Sequence, residues 1–174
     1  MNKNILITGI TGYVGMGIAK RLISEGFEVM GVIRDTNKNF NDRAEELYKT
    51  LKKRDKIKLI YWDLEKDEQL NENYLNKVTH IIHSAAVTRF NVEKTLANSI
   101  NVEGARKIFE LARLCPNLQC LNYISTIYSC GLVEGEILEK HHKTEDFANY
   151  YEKSKFDAEN ILKNEYKDIP WQII

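Results

Sequence analysis

The sequence has 174 residues, 43% hydrophobic and 29% charged, an ordinary globular composition at a length that suggests one domain. A chain of that size buries about 70% of its unfolded surface on folding, so it needs neither a disulfide framework nor a structural metal. Its 25 Lys and Arg balance its 25 Asp and Glu, which removes the electrostatic case for a nucleic acid or an anionic membrane as partner.

In chain order, Met1-Asn2-Lys3-Asn4 runs straight into an apolar strand over 5–7, with nothing that reads as a secretory leader. A glycine turn follows, and from Tyr13 the residues Val14, Ile18, Leu22 and Ile23 recur at helical spacing until Gly26. The β-branched run 29–33 predicts a second strand, the charged stretch 43–53 a solvated helix, and 57–62 a third strand. His80-Ile81-Ile82-His83 predicts the fourth strand, followed by a long helix over 92–114 that Cys115-Pro116 closes. A fifth strand is expected over 118–124, an irregular stretch over 127–148 and a helix over 150–166. Pro170 then leads into Trp171-Gln172-Ile173-Ile174, where a sixth strand has barely begun.

Short apolar strands alternating with amphipathic helices imply a parallel sheet covered on both faces. The expected fold is α/β, a doubly wound Rossmann-type sheet truncated at its sixth strand, with 1–174 forming one unit. Cys115, Cys120 and Cys130 contain no CxxC pair, which predicts a reduced, cytoplasmic protein. The apolar runs fall well short of the ~20 residues of a membrane span. His141-His142, with Glu134, Glu136 and Glu139 scattered before it, lacks the spacing of a zinc site, so no metal is expected.

Gly9-Ile10-Thr11-Gly12-Tyr13-Val14-Gly15 lies between a strand and a helix, where free helix N–H groups make a phosphate site. Gly9 allows the tight turn, Gly12 the approach of a pyrophosphate, and Gly15 close packing of the helix on the strand. The first gap is one residue longer than in GxGxxG, so position carries the assignment more than the letters do. At the end of the second strand Arg34 occupies the place where an arginine accommodates a 2′-phosphate, which points to NADP; the adjacent Asp35 keeps NAD as the alternative.

Tyr151 and Lys155 stand four residues apart on a predicted helix, hence on one face. An ammonium beside a phenol favours phenolate, and a tyrosine so tuned can act as acid or base near neutrality. Ser125-Thr126 closes the fifth strand at the carboxyl edge of the sheet, where open α/β folds bind ligands and a hydroxyl can orient a substrate carbonyl. Alone, such a pair is more often a cap or turn; with the glycine turn and YxxxK it reads as part of a catalytic set.

These motifs occur in order: Thr8 to Gly15, Asp63-Leu64, His83-Ser84-Ala85-Ala86, Asn101-Val102-Glu103-Gly104, Ser125-Thr126 and Tyr151 to Lys155. In this the chain resembles the extended short-chain dehydrogenase/reductase family along its whole length. The resemblance implies that Gly9, Thr11, Gly12, Tyr13, Val14 and Gly15 form the pyrophosphate turn, and that Asp63 and Leu64 meet the adenine. It further implies that Ser84, Ala85 and Ala86 line the nicotinamide-side ribose and that Asn101 organises the site. Thr126 then polarises the substrate oxygen, Tyr151 exchanges the proton, and Lys155 binds the ribose while tuning Tyr151.

Val87-Thr88-Arg89-Phe90-Asn91, the stretch 123–128 and the stretch 149–159 look most like thioester reductases and fatty acyl-CoA reductases, which implies a small-molecule or carrier-linked acyl substrate. An NAD-dependent sugar-nucleotide epimerase or dehydratase shares the same skeleton, and a non-catalytic dinucleotide-binding module is the third reading. Members of the family continue past the sixth strand into a segment that closes the substrate pocket; that segment is expected to be absent from 1–174. The family also pairs through its long helices, which implies a homodimer.

Overall fold

The structure, a computed structural model, describes residues 4–52, 54–66, 70–140, 142 and 144–174. The expectations placed on Met1 to Lys3, on Lys53 and on His141 lie outside the described residues. Six parallel strands form one sheet in the order β3-β2-β1-β4-β5-β6. They are β1 Asn4–Thr8, β2 Glu28–Ile33, β3 Ile57–Tyr61, β4 His80–His83, β5 Cys120–Tyr123 and β6 Trp171–Ile173. The doubly wound fold expected from the sequence is thus present, with its sixth strand paired to β5 over Leu121↔Trp171, Asn122↔Gln172 and Tyr123↔Ile173.

The central strand shows why both faces need cover. Successive side chains of a strand point to opposite faces, so Leu6 enters one core while Ile5 and Ile7 enter the other. The first core also takes Ile81, Leu121, Ile108, Phe109 and Leu162; the second takes Ala19, Ile23, Ala44, Leu47 and Leu51. Helices α1 (Tyr13–Ser24) and α2 (Phe40–Leu51) therefore cover one face. The other face is covered by the later helices, α5 (Gly104–Arg113) and α6 (Tyr150–Glu165), while the short α3 (Glu72–Leu75) adds Leu75 to the same core.

Helix α2 begins at Phe40, three residues before the expected start, because Asn39 caps it by accepting from the Asp42 N–H at 3.0 Å. The four-residue α3 has no sequence periodicity to betray it; Asn71 caps it instead. The long helix expected over 92–114 is regular only at its ends, in α4 (Lys94–Ala97) and α5, and winds as a π-helix over Asn98–Glu103. β5 is shorter than expected because Leu118 is drawn into the turn after Pro116, its N–H bonded to the Cys115 carbonyl at 3.1 Å.

β1 and β4 are neighbours whose chains leave toward different sides of the sheet, the place where ligands enter folds of this kind. Their ends are tied together, with Ser84 N–H donating to the Thr8 carbonyl at 3.3 Å. α6 is delivered to the same edge by a capping box. The Asn149 side chain accepts from Glu152 N–H at 3.0 Å, and the Glu152 carboxylate accepts from Ala148 N–H at 3.1 Å. That cap sets the phase in which Tyr151 and Lys155 face inward.

Candidate active site

Gly9 leaves β1 with φ +69°, a conformation that favours glycine. A Cβ there would lie 2.6 Å from Ala85 N, so the turn packs directly on the chain leaving β4. At Gly15 a Cβ would lie 2.3 Å from the Gly9 carbonyl oxygen, and this contact lets α1 sit close on the turn. The intervening Ile10 is fully buried and presses on Gly31 of β2, where a Cβ would meet Ile10 Cδ1 at 2.7 Å. The residue that lengthens the first glycine gap is therefore an anchor for the turn. Gly12 is the N-cap of α1, which has no side-chain cap and no acidic residue in its first turn. Its first N–H groups thus present an uncompensated positive end, as an anion requires. Tyr13 is 97% exposed beside it, and Thr11 and Val14 are exposed as well.

At the end of β2, Arg34 is half-exposed and ion-paired with Glu65 and, at 3.5 Å, with Asp63. Arg43, from α2, donates to the Arg34 carbonyl and to Thr11 Oγ1 at 3.2 Å. Sequence reasoning missed Arg43, since one basic residue in a highly charged helix carries no signal of its own. Asp63 accepts from Glu65 N–H at 3.1 Å, while Leu64 turns onto the core beside Gly104.

Beyond β4, Ser84 Oγ donates to the Thr8 carbonyl at 3.1 Å, and the half-buried Ala85 and Ala86 follow. Asn101, in the π-helical turn, is 2% exposed. It accepts from Val87 N–H at 2.8 Å, donates to the Val87 carbonyl at 2.9 Å and donates to Ser154 Oγ at 2.9 Å. Ser154 in turn donates to the Tyr151 carbonyl at 2.7 Å. One amide thus links the exit of β4 to the first turn of α6. A π-helical turn at a functional site is a recurring feature.

Thr126 caps the short 3₁₀ turn Ile127–Cys130, accepting from Tyr128 N–H at 3.3 Å. Tyr151 is buried beneath Phe90, ring centroids 5.9 Å apart, and Phe90 itself meets Tyr128 edge-on at 5.7 Å. Lys155 is buried, donates to the Ile124 carbonyl at 2.6 Å and lies 4.1 Å from the centre of the Tyr123 ring. Burial pushes its ammonium down from 10.5 to about 7, with the Glu159 carboxylate acting in the opposite sense. His83 stacks on Tyr123 and is pushed down to about 3 by burial and by the Lys155 charge, so it is neutral. Its Nδ1 lies 2.6 Å from Thr8 Oγ1. The Tyr123 hydroxyl is buried without a hydrogen-bond partner among the described residues, and burial pushes it upward.

Thus the glycine turn, the exit of β4, the Thr126 turn and the inward face of α6 meet at one edge of the sheet, while Arg34 and Arg43 stand to one side of it. A cavity of about 420 Å³ opens at the amino ends of β1 to β3, among Asn4, Glu28, Lys56 and Tyr74, and takes no part in this constellation. His142 has its Nε2 2.9 Å from the Leu138 carbonyl oxygen.

A family profile described as male sterility protein, an NAD-binding family, matches residues 7–174. The fatty acyl-CoA reductase wat of Drosophila melanogaster is 26% identical over an alignment that takes in 97% of this chain and 41% of that protein. With fatty acyl-CoA reductase 8 of Arabidopsis thaliana the identity is 28%, across 85% of this chain and 35% of its relative. The chain therefore spans well under half the length of these curated relatives. Among solved structures, the thiolation-reductase di-domain of an archaeal non-ribosomal peptide synthetase superposes with TM-score 0.79 at 22% identity, covering 99% of this chain and 40% of that one. The UDP-glucuronic acid 4-epimerase of Bacillus cereus in complex with NAD gives 0.75 at 20% identity, covering 98% and 55%. Both structures share the fold.

Proposed function

The chain belongs to the male sterility protein family, and from that premise we propose that it is the dinucleotide-binding unit, over 1–174, of an NADPH-dependent reductase acting on an acyl thioester. The observation that carries the proposal is that β4 and its exit touch both halves of the site: Ser84 and Ala85 pack on Gly9, and His83 stacks on the Tyr123 ring that Lys155 also meets. Whatever the glycine turn holds by its phosphates is thereby directed along β4 toward Tyr151 and Lys155.

The site fits a nicotinamide dinucleotide. The close approach at Gly9 and Gly15 and the uncapped start of α1 suit a pyrophosphate, held by the N–H groups of Tyr13 and Val14. Arg34 and Arg43 meet at the end of β2, where they would hold a 2′-phosphate, and Asp63 and Leu64 would flank the adenine. Ser84, Ala85 and Ala86 would line the nicotinamide-side ribose, and Lys155 would bind its hydroxyls. When bound, the nicotinamide supplies the hydride. On the substrate side, Thr126 and Tyr151 donate hydrogen bonds to the carbonyl oxygen, and Tyr151 delivers the proton. Asn101 keeps Tyr151 in place through Ser154. The fatty acyl-CoA reductase relatives support a coenzyme A or carrier-linked acyl group as substrate.

Titration with NADPH and NADH, followed by cofactor fluorescence, tests this reading. NADPH is expected to bind more tightly, and Arg34→Ala to weaken NADPH by about tenfold or more while leaving NADH unchanged, since a charge-assisted hydrogen bond is worth about 1.5–3 kcal/mol. A preference for NADH would favour the epimerase or dehydratase reading, and binding of neither would mean that 1–174 is not a competent dinucleotide domain. Cofactor oxidation on adding an acyl-CoA, lost in Tyr151→Phe, tests the substrate class.

A further inference from the structure

Glu159 is a buried carboxylate that the roles above leave unused. It follows Lys155 by four residues on α6, so the two side chains share one face one helical turn apart, with Tyr151 a turn earlier on the same face. All three are buried. The position of the carboxylate is fixed from outside its own helix, because Ser125 Oγ, on the chain leaving β5, donates to Glu159 Oε1. Ser125 is itself tied down, its N–H bonded to the Ile174 carbonyl at 2.7 Å.

Around the Lys155 ammonium the described residues place His83 from β4, Tyr123 from β5, and Tyr151 and Glu159 from α6. His83 is neutral, and the Tyr123 hydroxyl is held in its protonated form by burial. The Ile124 carbonyl accepts one of the ammonium's protons. The neutral imidazole, the protonated phenol and the backbone carbonyl supply no negative charge, yet a buried ammonium without a counter-charge loses its proton. A neutral amine would serve the proposed site poorly, because the ribose hydroxyls and a nascent phenolate both gain from a full positive charge.

We propose that Glu159 is a positioning residue of this site: held by Ser125, it supplies the negative charge that keeps Lys155 an ammonium beside Tyr151. The proposal rests on the reductase reading for its purpose, but not for its test. It accords with the direction in which Glu159 acts on Lys155, upward against burial. A purely structural Glu159 would matter to folding and would leave the protonation of Lys155 alone.

The experiment follows the Cε resonance of ¹³C-labelled lysine in the whole chain as pH is raised, with Lys155 assigned by its absence in Lys155→Met. In Glu159→Gln, which keeps an acceptor for Ser125 and removes the charge, the Lys155 midpoint is expected to fall by about one pH unit or more. Ser125→Ala, which frees the carboxylate to turn away, is expected to lower it by less. Midpoints equal in wild type and Glu159→Gln would overturn the proposal. Should Glu159→Gln not fold, Glu159→Asp decides the same point: its charge is withdrawn by one methylene, so a lowered midpoint supports the assignment and an unchanged one sinks it. In parallel, NADPH affinity is expected to decline at a lower pH in Glu159→Gln than in wild type. If NADPH does not bind even to wild type, the reductase reading fails while the lysine titration still decides the role of Glu159.

Discussion

Gly15 and Gly17 stand two residues apart in the same helix, and the structure assigns them opposite sensitivities. A methyl group on Gly15 would lie 2.3 Å from the Gly9 carbonyl oxygen and 2.8 Å from its carbon, both backbone atoms that cannot swing aside. Gly15→Ala must therefore push α1 off the turn, at a cost of about 1–3 kcal/mol, and with it the N–H groups proposed to hold the pyrophosphate. At Gly17 nothing lies within 4 Å, so Gly17→Ala gains helix propensity, up to about 1 kcal/mol, and leaves the turn alone. Urea unfolding and NADPH titration of the two variants are expected to diverge: Gly15→Ala less stable and weaker in binding, Gly17→Ala at least as stable and unchanged in binding. Equal behaviour would mean that the contact at Gly15 does not shape the turn. Sequence spacing had marked Gly15 as the close-packing glycine, yet it could not reveal what Ile10 does. An apolar residue between two glycines looks like any loop residue until the sheet beside it shows a Gly31 left bare to receive it.

At the scale of elements, the long helix shows what periodicity does and does not record. Apolar residues over 92–114 repeat closely enough to predict helix, and both regular ends obey, since Ile108, Phe109 and Ala112 enter the core. The π-helical turn at Asn98–Glu103 leaves no mark on that pattern, because one wider turn shifts the register only slightly. What it accomplishes is visible only in three dimensions: it turns Asn101 inward to Val87 and Ser154. Likewise the shared buried face of Tyr151 and Lys155 on α6 was legible from a gap of four, whereas Ser154 and Glu159, lying on the same helix, gave no reason to be singled out before their partners Asn101 and Ser125 were seen. Asn101→Ala removes three hydrogen bonds at a buried position and strands the Val87 N–H, with an expected loss of about 1–3 kcal/mol in stability. The same change unlinks α4 and α5 from α6. Amide exchange is therefore expected to rise at Val87 and in the first turn of α6, with the α1 and α2 side of the sheet unaffected. Exchange confined to residues next to Asn101 in sequence would argue that the amide does not couple these elements.

For the molecule as a whole, burying two basic groups at one spot makes stability depend on pH in a way composition does not foretell. The formal charge is zero and the pI about 6.9, which by themselves suggest nothing unusual near neutrality. His83 stays neutral in the folded chain down to about pH 3 but takes a proton at its ordinary 6.5 once unfolded. Between those values the unfolded state binds more protons, so stability falls as pH drops through that window. Lys155 behaves alike at higher pH. Its folded value of about 7 lies below the ordinary 10.5, so the cost of burying its charge is fully present below about pH 7 and is relieved as pH rises. The relief is clearest up to about pH 9, since Cys115, raised from 9.0 to about 11 by burial, opposes it beyond that point. Urea unfolding at intervals from about pH 5 to about pH 9 is thus expected to show two rising limbs, one ending near pH 6.5 and one starting near pH 7. His83→Gln should flatten the lower limb and Lys155→Met the upper. Asp168, held low by its hydrogen bond to Arg113, and Glu165, held low by its bond to Arg106, lose their contribution only as pH falls below their ordinary 3.8 and 4.5, under the range scanned. An upper limb that survives in Lys155→Met would show that Lys155 is solvated in the folded chain. Its proposed part in holding a ribose and tuning Tyr151 would then lack the buried setting that both roles require.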